Sequence, residues 1–387
     1  MVYLNVSDVE GEMARTIKTI AIVSNTSWYI SNFRLGLLNN LQSKDYKIII
    51  IAPSDEYSIK LKELGCEYHE IKINNKGTNP FEDLKLFYDF YKIYKKLSPD
   101  IILHNTIKPN IYGSMAAGIL GIPVISNISG LGTVFLNDKL SSKIARILYR
   151  IALTVPEKIF YQNIHDKELF IKSKFVKEEK TDLLPGSGID TEKFKPIEKR
   201  LNNDTITRFL FIGRLLRDKG LIEYVEASKK INNNENVEFA ILGPFYSGNP
   251  TAINQSKMKK WQKEGSVKYV GVSDDVKSVI KEYDCIVLPS YREGLSKVLL
   301  ESASMAKPII TTNVPGCKEV VDDGINGYLC EPRSIEDLAN KMIMMLNLSD
   351  EERKVMGQAG RAKMIKEFDE KIVIDKYLEA IEDISIG

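Results

Sequence analysis

The chain has 387 residues, room for two or three domains of ordinary size, and 43% of them are hydrophobic, enough for a sizeable core. Its 54 basic and 52 acidic side chains nearly cancel, and a net charge of +2 is too mild to argue for nucleic acid. Four cysteines without a CxxC spacing (Cys66, Cys285, Cys317, Cys330) and three histidines (His69, His104, His165) leave little material for disulfides or a multi-histidine metal centre, and the expected compartment is a reducing cytoplasm.

Residues 1–18 carry acids and no apolar core, so they read as an extension rather than a signal peptide. No apolar run approaches the roughly 18–20 residues of a spanning helix, so any membrane contact is expected to be peripheral. From residue 19 onward, strand and helix patterns alternate: strands at 19–23, 46–51, 68–73, 101–104 and 124–128, with helices at 33–41, 59–64, 81–97 and 111–120 between them. This rhythm predicts a parallel sheet wound on both faces, with ligands gathering beyond the carboxyl ends of its strands. The loops 24–28, 104–110 and 129–135 should therefore line one crevice. The first lacks GxGxxG, which removes the main support for a hydride-transfer enzyme and leaves the Thr26 and Ser27 hydroxyls as candidate contacts. In the second, His104 and Lys108 read equally well as acceptor ligands or as a structural strand end. In the third, Ser129, Gly130 and Gly132 allow either close backbone approach to an acceptor or a tight turn.

Helix 140–153 sets Lys139, Lys143, Arg146 and Arg150 along one face and Leu140, Ile144, Ile147, Leu148 and Ile151 along the other. A basic amphipathic helix of this kind binds anionic membrane surfaces, or simply packs on a sheet with its basic face in water. Helix 81–97, with Phe87, Tyr88, Phe90, Tyr91 and Tyr94 beside Lys92, Lys95 and Lys96, carries the same two readings. Further strands at 158–162 and 181–184 lead to Pro185-Gly186-Ser187-Gly188, and the polar stretch 191–206 reads as a linker. A second alternating domain spans 207–367, and amphipathic helices close the chain.

The most informative stretch is PSYREGLSKVLLE, residues 289–301. It follows a short buried-strand run and turns through Gly294 into a helix. Glu293 and Glu301 stand eight residues apart, the first in the turn and the second on the helix. At about 1.5 Å of rise per residue they are separated by roughly 8–12 Å, longer than most carboxylate pairs that share one scissile bond. Such acids suit the two ends of an extended polar ligand. Between them the helix N-terminus offers the backbone amides of Ser296, Lys297 and Val298, a favourable seat for phosphate. Acid, phosphate cradle, acid is the layout expected for a nucleotide-sugar.

This segment resembles the E-x7-E signature of family 4 retaining glycosyltransferases, which have the α/β GT-B fold: two Rossmann-like domains facing each other across a donor/acceptor cleft. The likeness extends to Gly213-Arg214 and Lys219-Gly220, to KPIITTNVPGCKEVV (307–321), to DGINGYL (323–329), and, in the first domain, to IPVISNISGLGTVF (122–135). It is greatest to the CapM-like branch, which builds capsule, O-antigen and lipid-linked oligosaccharides. The resemblance implies a domain at 19–190, a linker at 191–206, a nucleotide-sugar domain at 207–367 and a final helix, 368–387, crossing back to the first domain. It also implies a metal-independent hexosyltransferase without cofactor. Arg214 and Lys219 would hold the donor diphosphate, Glu293 would orient the donor sugar, and Glu301 would take the ribose. Gly243, Val272, Gly294, Leu295, Ser296, Lys297 and Val298 would complete the donor site. The implied donor is a UDP-N-acetylhexosamine, and the implied acceptor is a saccharide on undecaprenyl diphosphate at the cytoplasmic face of the membrane. Two other classes fit a two-lobed plan: a GT-B UDP-N-acetylhexosamine epimerase, disfavoured by the scarcity of histidine, and a non-catalytic nucleotide-sugar-binding protein.

Overall fold

The structure is a computed structural model that describes residues 17–74, 79–130, 140–197, 206–231, 236–246 and 248–386. The first domain runs β1 (Thr19–Val23), α1 (Ser27–Phe33), α2 (Leu35–Ser43), β2 (Lys47–Ala52), α3 (Glu56–Glu63), β3 (Glu67–Glu70), α4 (Pro80–Leu97), β4 (Ile101–Asn105), α5 (Ser114–Leu120), β5 (Val124–Ile128), α6 (Leu140–Ala152), β6 (Lys158–Tyr161), α7 (Ile164–Lys172) and β7 (Thr181–Leu183). The second runs β8 (Thr207–Ile212), α8 (Leu221–Ile231), β9 (Val237–Leu242), α9 (Gln255–Lys263), β10 (Lys268–Gly271), α10 (Val276–Ile280), β11 (Cys285–Leu288), α11 (Lys297–Ser304), β12 (Ile309–Thr312), β13 (Gly327–Cys330), α12 (Ile335–Leu346) and α13 (Asp350–Lys363), and the chain ends in α14 (Glu370–Ile386).

All strand pairs are parallel. The seven-stranded sheet has the order β3-β2-β1-β4-β5-β6-β7 and the six-stranded sheet β10-β9-β8-β11-β12-β13. Each order reverses once, between β1 and β4 and between β8 and β11, which opens a crevice at the carboxyl ends of those strands. Buried on both faces, the strands are continuous apolar runs rather than alternating ones. Ile20, Ile22, Ile48, Ile50, Ile101 and Leu103 point toward α2, α3 and α14, whereas Ala21, Val23, Ile49, Ile51 and Ile102 point toward α4 and α5. The expected two-domain α/β plan is therefore present.

The expected return of the last helix is present as well. The chain crosses forward through Ile189 and back through Asp369, and the two passes pair as a parallel bridge, with Ile189 N–H donating to Phe368 O (2.8 Å) and Glu370 N–H to Ile189 O (3.0 Å). Beyond the crossing, α14 buries Val373, Ile374, Tyr377, Ala380 and Ile381 in the first domain's core. There Arg34, almost fully buried, donates to Asn105 Oδ1 (3.0 Å), Phe33 O (2.9 Å) and the Tyr29 hydroxyl (3.3 Å), and lies over the Tyr377 ring. Asn127 donates to the Tyr377 hydroxyl at 3.0 Å.

Of the two readings open for α6, packing on the sheet through its apolar face does not hold for Ile144, Ile147 and Ile151, which point outward at 51%, 61% and 51% exposure, while Leu148 stays partly buried. The buried face carries Tyr149 and Ala152 instead, because Tyr149 meets Phe170 edge-on at 5.9 Å. Arg150 stays near the protein, donating to Ser173 O and lying over Phe175. Lys139 and Gly132, most of the 1–18 extension, and linker residues 198–205 lie outside the described residues.

Tyr377→Phe removes the oxygen to which Asn127 donates and leaves a buried amide unsatisfied. The expected cost is about 1–3 kcal/mol, read as a lower urea midpoint.

Candidate active site

The residues singled out in the second domain converge at the carboxyl ends of β8 and β11, the strands flanking that sheet's reversal. After β8, Arg214 is exposed and stacks over the Tyr246 ring, 5.0 Å from its centroid, on the loop after β9. Lys219 ends a short turn and reaches the loop after β11, where its ammonium pairs with the Glu293 carboxylate. Both side chains are largely buried, at 18% and 13% exposure, so each charge depends on the other. The residue expected to bind the sugar and the residue expected to bind the diphosphate therefore neutralise each other.

Several bonds hold the Glu293 loop. Tyr291 N–H donates to Asp218 O (2.9 Å), and the Tyr291 hydroxyl donates to the buried Glu223 (2.6 Å). Glu293 N–H donates to Pro315 O (3.1 Å). Gly294 lies so close to the first domain that a Cβ there would stand 2.1 Å from Ser129 O, so only glycine permits this approach. Gly130 lies against the same residue. Leu295 packs on Gly186 at the domain crossing. Gly243 is fixed by a different contact, since a Cβ there would meet Gly213 O at 1.8 Å. Val272 is exposed just past β10.

Helix α11 begins at Lys297 with Ser296 at its N-cap. The Ser296 amide, expected to be a free donor, is spent on Gly316 O at 3.0 Å. The first-turn amides of Lys297 and Val298 have no carbonyl one turn back and remain the donors for an anion. Glu301, on the second turn, is almost fully buried, and its carboxyl pKa is raised by burial and pulled back by Lys297 and Lys193. Lys297 Nζ stands 3.7 Å from Glu301 Oε1, and burial lowers its pKa.

The first-domain candidates fare differently. His104 is fully buried, with its ring nitrogens bonded to the Tyr94 hydroxyl (2.8 Å) and to Ser114 Oγ (3.1 Å). Burial lowers its pKa to about 3, so it is a neutral structural group and not an acceptor ligand. Lys108 is bound to Asp83 on α4 at 2.7 Å, which takes it away from the pyrophosphate role. Ser27 is fully buried, its hydroxyl held by Pro53 O and Asp55. Thr26 caps α1, accepting from Tyr29 N–H at 3.1 Å. Neither hydroxyl substitutes for the missing glycines. Ser129 and Gly130 do face the donor loop.

Sequence reading passed over Tyr246, Glu223, Tyr291, Asn163 and Asp166. Of these, only Asn163 had a local signal, a helix N-cap ahead of an apolar run, and it does cap α7.

Residues 19–163 match the glycosyl transferase 4-like family, and residues 192–363 match the glycosyl transferases group 1. The chain is a glycosyltransferase of the GT-B fold. This glycosyltransferase is 27% identical over 380 residues, 94% of its length and 98% of the relative's, to the N,N'-diacetylbacillosaminyl-diphospho-undecaprenol alpha-1,3-N-acetylgalactosaminyltransferase of Campylobacter jejuni. It is 25% identical over 379 residues, 91% of its length and 95% of the relative's, to the UDP-Gal:alpha-D-GlcNAc-diphosphoundecaprenol alpha-1,3-galactosyltransferase of Escherichia coli. A glycosyltransferase structure from Rickettsia africae superposes with a TM-score of 0.79 at 20% identity, covering 95% of this chain and 98% of that one, and shares its fold.

A neutral buried His104 has a consequence for pH. Below about pH 6.5 the unfolded chain takes up a proton that the folded chain refuses down to about pH 3. The stability is therefore present above pH 6.5 and is lost toward acid at about 1.4 kcal/mol per pH unit. His104→Gln should flatten that slope between pH 6 and 4 in urea titrations, whatever its effect at neutral pH.

Proposed function

We propose that this glycosyltransferase moves an N-acetylhexosamine or hexose from a UDP donor, with retention at the anomeric carbon, to a sugar carried on undecaprenyl diphosphate. The carrying observation is the Lys219–Glu293 pair, set at the sheet reversal beside Arg214 and facing the 129–130 loop of the first domain. The relatives' names, which pair diphospho-undecaprenol acceptors with N-acetylgalactosaminyl and galactosyl transfer, support the substrate class.

In this reading the donor diphosphate lies against Arg214, Lys219 and the amides of Lys297 and Val298. Glu301 accepts from the ribose diol, whose hydroxyls replace the water that burial denies it. The arriving phosphate takes Lys219 as its counter-ion, and Glu293 turns to the sugar hydroxyls. The bond from the anomeric carbon to the diphosphate oxygen breaks as the acceptor oxygen bonds to the same face. The acceptor's proton passes to the departing phosphate. Fixed cations stabilise the growing negative charge, the largest single contribution in such sites. They do so without calling on a metal.

The acceptor would be met peripherally, at the cytoplasmic membrane face. No helix among the described residues is long and apolar enough to cross a membrane. The layer formed by α4, α5 and α6 exposes Phe81, Leu84, Tyr88, Ile119 and the α6 isoleucines, with Lys85, Lys92, Lys95 and Lys96 on the same α4 helix. Apolar side chains next to lysines suit an anionic bilayer surface.

In EDTA, UDP should raise the melting temperature of the wild-type protein more than GDP, ADP or dTDP does. Lys219→Ala should lose that shift, and Glu293→Ala should lose transfer by about 10²–10³-fold while still folding, with a lower melting temperature because Lys219 loses its partner. A GDP preference would replace the donor class, and near-normal turnover of Glu293→Ala would remove its role. Ile144→Asn with Ile147→Asn should release the protein from anionic vesicles in a flotation assay, and unchanged flotation would reject the membrane face.

A further inference from the structure

The loop after β11 and the turn after β8 are joined along their length. Gly220 closes that turn at φ +72°, and a Cβ there would stand 2.0 Å from Pro289 O, so only glycine lets the two segments lie this close. Asp218 O accepts from Ser290 Oγ (3.2 Å) and from Tyr291 N–H (2.9 Å). Arg292 turns to the first domain, where it meets Asp166 Oδ1 at 2.9 Å. Among the described residues, two ties between side chains then join the loop to the segment that runs from β8 into α8: Lys219 with Glu293, and Glu223 with Tyr291.

The two ties meet the donor differently. In the function proposed above, the diphosphate takes Lys219 from Glu293, so the first tie opens when the donor arrives. The second uses neither of those residues. The Tyr291 hydroxyl donates to Glu223 Oε1 at 2.6 Å, a short bond to a charged acceptor and one of the stronger kinds. Glu223 lies in the first turn of α8 and is almost fully buried, and its other carboxylate oxygen is buried without a partner among the described residues. Packing alone would be served better by an apolar side chain, which carries no such desolvation cost. What the carboxylate adds is the bond to Tyr291. Burial and Glu223 push the phenol's pKa up, so it stays protonated and donating through the neutral range. Its ring lies under the Arg333 guanidinium, 4.6 Å from the centroid, supplied by the loop after β13.

Without the first tie, the main chain of the loop rests on Asp218 O and on Pro315 O, which accepts from Glu293 N–H at 3.1 Å. Both are neutral hydrogen bonds, each of modest net worth. Tyr291–Glu223 is the charged contact that does not depend on the donor. We propose that Glu223 and Tyr291 are positioning residues for transfer: their bond keeps the 290–293 loop in place when the donor draws Lys219 away, so that Glu293 reaches the donor sugar from a fixed main chain. The idea rests on the donor site proposed above.

The test uses the full-length protein and UDP. Tyr291→Phe keeps the ring under Arg333 and removes the hydroxyl. Glu223→Gln keeps an acceptor for that hydroxyl and removes the charge. Tyr291→Phe combined with Glu223→Leu removes both partners and leaves no buried carboxylate unpaired, so it carries the test if Tyr291→Phe alone fails to fold. Hydrogen exchange of peptides spanning residues 289–296 is followed with and without saturating UDP, and calorimetry reads UDP affinity. Without UDP, Tyr291→Phe should exchange like wild type, because Lys219 still holds Glu293. With UDP it should exchange at least about tenfold faster than wild type, the factor a hydrogen bond to a charged group carries, at unchanged UDP affinity. Glu223→Gln should stay near wild type in both states. The double variant should match Tyr291→Phe, since the two residues act as one unit. In transfer from UDP-galactose or UDP-N-acetylgalactosamine to an N-acetylhexosamine on polyprenyl diphosphate, the loss in Tyr291→Phe should fall on kcat and leave KM for the donor unchanged. A contact that merely stabilises the fold would loosen the loop equally with and without UDP. That result, or an unchanged kcat, overturns the inference and leaves the donor site standing. A wild type that binds no UDP overturns both.

Discussion

The Lys219–Glu293 pair is the interaction around which the cleft is arranged. Two charges largely withdrawn from water are tolerable only together, so the loop after β8 and the loop after β11 are fixed to one another across the sheet reversal. In the proposed reading, a diphosphate would bring the negative charge that Lys219 needs and would release the carboxylate beside it, so one ion pair would order both groups and free one of them for the sugar. Arg214 is held differently, by stacking on Tyr246, which leaves its donors open to a ligand.

The first domain has the complementary problem of a buried cation with no carboxylate bonded to it among the described residues. Arg34 spends its donors on an amide, a carbonyl and a phenol and rests on the ring of Tyr377. Tyr377 comes from α14, so the last helix completes a polar network that the first domain begins. The same tyrosine receives Asn127, one residue from the end of β5, and β5 leads directly into Ser129 and Gly130. The C-terminal helix therefore supports, from behind, the loop that meets Gly294 in front. Crossing back is part of how the first-domain side of the cleft is shaped.

What was legible in the sequence follows from how local each signal is. Strand and helix alternation, the turn through Gly294 and the spacing of Glu293 and Glu301 depend on neighbours in the chain, and they stand where the sequence puts them. The roles of His104, Lys108 and Ser27 depend on partners 10, 25 and 28 residues away, and nothing beside them in the sequence shows that Tyr94, Asp83 and Asp55 occupy them. The amide of Ser296 was misjudged for the same reason, since its acceptor, Gly316, arrives from the loop after β12. Asp166 was invisible because a carboxylate in a first helical turn is commonplace. Only its distant partner, Arg292, distinguishes it.

In helix α6 the apolar stripe of the sequence and the face that meets the protein core are only partly the same. Its apolar stripe is real, but a second stripe, through Tyr149 and Ala152, competes for the sheet. Tyr149 takes the buried position, with its ring edge-on to Phe170. The displaced isoleucines must then face outward. An enzyme with no use for them there would be expected to carry polar residues at those positions, because exposed apolar stripes favour association. Beside the lysine-bearing α4 they form the surface that the proposed membrane contact would use.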